Sequence, residues 1–275
     1  MEDVLSEFLL GYYKKNYNDN LKNYLKLINS AKSNIDFHQK LFSHKEFSEF
    51  KEECKIVKKI ISAMLGDNWE RIREQEGIEI HTMKNNEEFF IKVQCKIECE
   101  ATLLLSICYE TDLLVNWVSS LKKSTTLDEI SMYRKKIHYE YNLPWPLTNR
   151  QSHLNVSCIP QPELNTVLLV VYSPKTIIKS TNDDSLIEMI LPCCGVWIKK
   201  NSTSTDLVVT MQANKYIAKI PNWIVNYIIK SSFFQLACAL KYHVENFRGS
   251  PYEFIVKDKK EKFYKEIQEV FTNRL

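Results

Sequence analysis

Apolar residues recur through the first 65 positions at the three- and four-residue steps of a helix. Leu5, Phe8, Leu9 and Tyr12 form one stripe, and Leu21, Tyr24, Leu25 and Ile28 form a second. Phe47, Phe50, Cys54, Val57, Ile60, Ile61, Met64 and Leu65 form a third. Asn18 or Asp19 suits the start of the second helix, where a short side-chain oxygen can take an unpaired N–H. Gly66 is expected to end the third in a left-handed conformation. From Trp69 the pattern shortens to that of strands, over 69–74, 78–84 and 89–100, with Gly77 and Asn85–Asn86 at the turns. Helical spacing returns over 101–121, through Leu104, Leu105, Cys108, Leu113, Leu114, Trp117, Val118 and Leu121.

Six further strands are expected over 129–141, 151–159, 166–173, 185–192, 195–200 and 205–213. Pro144, Pro146, Pro160, Pro162 and Pro174 fall in the connections, where they remove no ladder hydrogen bond. Pro221 opens a long helix to Phe247, carrying Val225, Ile229, Phe233, Leu236, Leu240, Val244 and Phe247 on one face. Trp223, Tyr227 and Phe234 widen that face, and Gly249 and Pro251 end the helix. A short helix over 258–273 follows, with Phe263, Ile267, Val270 and Phe271. Strands joined by short turns make an antiparallel sheet, so the order implies an α+β fold. The segment 167–172 (Val-Leu-Leu-Val-Val-Tyr) is apolar on both faces, so each face of its sheet must meet another layer or a cavity.

Composition narrows the function by exclusion. The 26% charged and 44% hydrophobic residues are those of a soluble globular chain. The net charge of +3 comes with no Lys/Arg stripe, which argues against a nucleic-acid partner. The start, MEDVLSEFLLGYY, lacks a basic region and is interrupted by Ser6 and Glu7, unlike a signal peptide. No stretch approaches the ~18 uncharged apolar residues of a membrane span. A cytoplasmic location is expected. The eight cysteines form no C-x-x-C pair, and no disulfide is expected. Cys95 and Cys99, on one face of a strand, read as small apolar residues rather than a metal pair. The five glycines are scattered, which removes the phosphate-binding and dinucleotide loops that need them clustered. With no G-x-S-x-G or H-E-x-x-H segment, no catalytic residue, metal ligand or cofactor is assigned, and the chain is not expected to be an enzyme.

Four segments, in order over residues 47–247, together resemble the START lipid-transfer domains. They are Trp69 to His81 (a strand opened by Trp, a Gly turn, a second strand), Leu113-Leu-Val-Asn-Trp117, Tyr139-Glu-Tyr-Asn-Leu-Pro144-Trp-Pro-Leu-Thr-Asn149-Arg150, and Ile220-Pro-Asn-Trp-Ile-Val-Asn226. The likeness is strongest to the phosphatidylcholine-transfer members. It implies a helix-grip fold, in which a curved antiparallel sheet wraps a long C-terminal helix and one lipid lies between them. It divides the chain into an N-terminal helical extension (1–46), a lipid-binding domain (47–247) and a tail with a short amphipathic helix (248–275).

By that resemblance the lipid meets Tyr139, Tyr141, Val171, Met189, Val225, Ile229, Phe233 and Leu236. Asn149 and Arg150 are candidates for headgroup or loop roles, and Trp145 for transient contact with a membrane surface, where Trp is favoured. Tyr139 and Tyr141 match an aromatic cage for a quaternary ammonium. Ser152 and Pro192 stand where that cage has tyrosines, and Leu114 where it has an arginine. A phospholipid is therefore expected, phosphatidylcholine among the options, and sterol and ceramide stay open. The expected function is monomeric transfer of one lipid between membranes. The alternatives are a lipid sensor acting through a protein partner and, behind it, an enzyme on the same scaffold.

Overall fold

The structure, a computed structural model, describes residues 2–14, 17–31, 41–85, 88–143, 149–175, 186–213 and 227–272. Three helices come first: α1 (Glu2–Lys14), α2 (Tyr17–Ala31) and α3 (Lys45–Met64). Then follow β1 (Glu70–Gln75), β2 (Ile78–Asn85), β3 (Glu88–Ile97), α4 (Ala101–Tyr109) and a 3-10 turn, Thr111–Asn116. The strands β4 (Leu121–Ser131), β5 (Arg134–Tyr141), β6 (Arg150–Gln161), β7 (Thr166–Tyr172), β8 (Ile187–Glu188), β9 (Cys193–Lys200) and β10 (Thr205–Ala213) complete the sheet. A π-helical turn, Ile228–Ser232, leads into α5 (Phe233–Glu245). The chain closes with α6 (Pro251–Phe254), a second π-turn (Ile255–Lys259) and α7 (Glu261–Thr272).

All ten strands form one curved, open sheet in the order β1-β2-β3-β10-β9-β7-β6-β5-β4, with β8 beside β6. Every pair is antiparallel except β6–β8. The first hairpin turns at Glu76–Gly77, both at positive φ, which glycine adopts without strain.

Alternation along each strand divides the core in two. Val167 and Leu169 join the first face with Ile137, Leu154, Val156 and Ile198, against α4, α5 and α7. Leu168, Val170 and Tyr172 join the second face, against α1, α2 and α3. The doubly apolar segment 167–172 is thus covered from both sides, as its composition requires. Gly195 lets α3 approach closely, since a Cβ there would collide with Cγ2 of Ile60.

A buried ion pair fastens the N-terminal helices to the sheet. Arg134 of β5 donates from Nε and Nη2 to Glu53 of α3, at 3.1 and 3.0 Å. Ser157 of β6 donates to the same carboxylate at 2.8 Å, and Arg134 also donates to the carbonyl of Tyr12 at 3.3 Å.

Several sequence expectations need correction. Gly66 is not left-handed: α3 ends through right-handed Leu65, and the Gly66 N–H bonds to Ala63 O at 3.1 Å. The expected helix over 101–121 is α4 plus the 3-10 turn, and the expected strand 129–141 is two strands, β4 and β5. Of the expected strand 185–192 only Ile187–Glu188 pairs as strand among the described residues. Pro160 lies inside β6, opposite Val167. Pro221, Trp223 and Val225 lie outside the described residues.

Candidate functional site

β5 directs Lys135, Ile137, Tyr139 and Tyr141 to the first face. Tyr139 lies between Ser124 of β4 and Ser152 of β6 in register. Ser124 donates to Thr111 O at 2.6 Å. Ser152 donates to Met189 O at 2.6 Å. The two rings stand edge to face, 6.0 Å apart at 87°. Both serines are anchored to backbone beside the two rings.

The same face continues across the sheet through Val171 of β7, Cys194 and Val196 of β9, and Val209 and Met211 of β10. These side chains are half-buried, whereas Leu169 and Ile198, nearer the far end of the strands, are fully covered. Ile229 of the first π-turn is buried and Phe233 half-buried in the same apolar cluster. Leu113 and Cys108 approach it from the other side. The strap 186–192 crosses one margin. Met189 N–H bonds to Gln151 O at 2.7 Å, and Glu188 takes the backbone N–H and ring Nδ1 of His153 at 3.0 and 3.2 Å.

Burial pushes the thiols of Cys108 and Cys194 up to about 12, and it raises Tyr139 and Tyr141 well above the usual phenol value. Yet all four keep some accessible surface.

Of the residues read from the sequence, Tyr139, Tyr141, Val171, Ile229 and Phe233 come together on the first face. Met189 sits in the strap, and its backbone is what the structure fixes. Leu236 is exposed on α5, away from them. Arg150 shares the side of Tyr141, opposite it in register and half-buried, while Asn149 is exposed. Trp145 and Val225 lie outside the described residues. Sequence reasoning missed Ser124, Cys194, Val196, Val209 and Met211; the alternation Leu207, Val209, Met211 was the available signal. Among the described residues no group of three or more His, Cys, Asp or Glu side chains could hold a metal, and no helix is long and apolar enough to cross a membrane.

An open antiparallel sheet, covered on one face by C-terminal helices and half-lined on that face by apolar residues, is the helix-grip architecture. It is the fold of the START domains. Human StAR-related lipid transfer protein 5 superposes with a TM-score of 0.65 at 13% identity, covering 74% of this chain and 99% of that one. Human STARD10 gives 0.61 at 15% identity, covering 77% and 86%. A STAR-related lipid transfer protein from Xanthomonas axonopodis gives 0.53 at 14%, covering 65% and 99%. No family model and no curated protein matches the sequence.

Proposed function

We propose that this protein binds a single lipid between the first face of the sheet and the C-terminal helix, and carries it between membranes. The observation that carries this reading is the half-covered apolar surface of Val171, Cys194, Val196, Val209 and Met211, on the same face of the sheet as Tyr139. A lipid chain entering water loses ~0.8 kcal/mol per CH₂, so a carrier needs an apolar lining on every side. The likeness in fold to proteins named for lipid transfer supports the same reading.

The ligand class is a phospholipid. The edge-to-face pair of Tyr139 and Tyr141 offers ring surface to an ammonium group, and Arg150, the register partner of Tyr141 on the same side, offers a guanidinium to the phosphate. The test is native mass spectrometry of the purified chain, with bound lipid extracted and identified. One phospholipid per chain is expected. A chain that stays empty after incubation with mixed vesicles would overturn the proposal.

Two variants probe the site. Val209→Trp puts a large ring on the half-covered face. If that face lines a cavity, the melting temperature moves by less than about 5 °C and bound lipid falls at least tenfold. If the face is packed, overpacking of about 1–3 kcal/mol lowers the melting temperature instead. Tyr139→Ala is expected to weaken selection among headgroups more than total lipid uptake, read from competition between choline-containing and choline-free lipids. Equal loss for every lipid would remove Tyr139 from headgroup recognition.

A further inference from the structure

Lys135 stands at the opposite end of β5 from Tyr141, on the same face, with buried Ile137 between it and Tyr139. Only 3% of it is exposed. Its ammonium donates to the carbonyl of Tyr109 and lies 4.1 Å from the centre of that ring. Among the described residues it has no ion pair. A buried ammonium without a touching counter-charge is unfavourable, and burial pushes its pKa down to about 8.

Lys135 lines a cavity of about 330 Å³ between the β4–β5 turn and the start of α7. Lys260, Lys262, Glu129, Tyr109, Met132 and Phe263 are among its other walls. The nearby carboxylates are already engaged. Glu110 and Glu129 each lie 3.1 Å from Nζ of Lys260, and Glu110 also accepts from Tyr264 at 2.5 Å. Lys135 and exposed Lys262 are the lining cations without an ion pair among the described residues. Its volume is at the lower end of the range for small-molecule sites, about 300–1,000 Å³, and far above that of a lone ion.

We propose that this cavity is a second binding site, distinct from the lipid-facing surface, for a small organic phosphate. Lys135 and Lys262 hold the phosphoryl group, and the body of the molecule lies against Tyr109, Met132 and Phe263. Two ammonium groups match the charge of a phosphate monoester better than that of a carboxylate; Lys262 brings three donors to its oxygens and Lys135 the two not given to Tyr109. The aromatic and thioether walls favour a flat or apolar body.

The test is calorimetric titration of the full chain with phenyl phosphate, at one fixed salt concentration, beside inorganic phosphate. Saturable binding of one phenyl phosphate per chain is expected, at least about tenfold tighter than inorganic phosphate, which cannot use the apolar walls. Lys262→Gln, at an exposed position, and Lys135→Met, which keeps the volume, are each expected to weaken it about tenfold or more while bound lipid is unchanged. Unaltered affinity in Lys262→Gln, or no saturation by phenyl phosphate, would overturn the site. So would Lys262-dependent binding to phosphatidic acid vesicles with phenyl phosphate silent, since the lysines would then form a membrane-facing patch.

Discussion

Deleting residues 1–43 is expected to disrupt the domain rather than trim it. Leu5, Phe8, Tyr12, Tyr24 and Leu27 are all at most 9% exposed. The rings of Phe8 and Tyr24 pack on Phe47 and Phe50 with centroids 5.0 to 5.5 Å apart. Phe47 and Phe50 are wholly buried, and without α1 and α2 they face water. Exposing these two alone costs about 3–6 kcal/mol, at about 1.5–3 each. A domain's entire stability is roughly 5–15 kcal/mol. The loss of Tyr12 also opens one side of the Arg134–Glu53 pair. A thermal melt of residues 44–275 followed by circular dichroism should therefore fall by at least about 10 °C, or lose its cooperative transition. A melt within about 5 °C of the full chain would make the first helices a detachable extension.

The second large effect is expected at Glu53. Its carboxylate receives Arg134 bidentately and Ser157, with side-chain exposures of 3% for Glu53 and 4% for Arg134. Replacing it by Ala leaves the guanidinium buried with no counter-charge. Breaking a pair of this kind costs about 3–5 kcal/mol, whereas replacing both members by apolar residues of similar volume is often neutral or better. Urea unfolding of Glu53→Ala should lose that amount, and Glu53→Met combined with Arg134→Met should recover most of it. A single variant within about 1 kcal/mol of the parent would mean that water reaches the site and screens the charge.

The sequence made the sheet-and-helix order readable because most strands alternate cleanly and because segment 167–172 has no polar side at all. It misled where edge position or side-chain bonds replace alternation. β4 carries Lys122, Lys123, Asp128 and Glu129 and shifts register three times, so its apolar residues keep no period, and the helical spacing before it ran on to Leu121. The segment 185–192 reads as a strand, yet two paired residues and bonds from Ser152 and His153 hold it as a strap.

The tyrosines of the candidate site were legible from their motif. Cys194, Val196, Val209 and Met211 were not, because periodicity assigns a residue to a face but says nothing about how fully that face is covered. Leu236 kept the helical stripe and still lies exposed, since a stripe wider than its contact leaves a margin in solvent. Lys135, in the run Arg134-Lys-Lys136, fell inside the expected strand 129–141, where nothing in the sequence marks it as buried. The pleat alone sends its neighbours to the second face and buries Lys135 on the first.

A ten-stranded sheet that never closes has two edge strands, β1 and β4, each without a second strand partner among the described residues, and an edge of this kind can recruit a strand from another copy of the chain. Both are poor templates. β1 presents exposed Glu70, Arg71, Glu74 and Gln75 and is broken by a bulge between Arg71 and Arg73. β4 presents exposed Lys122, Lys123, Asp128 and Glu129 along a backbone that is irregular in three places. An incoming strand would meet like charges and mismatched N–H and C=O rows at either edge. The irregularity that hid β4 from sequence reading thus works as a guard against edge-to-edge aggregation.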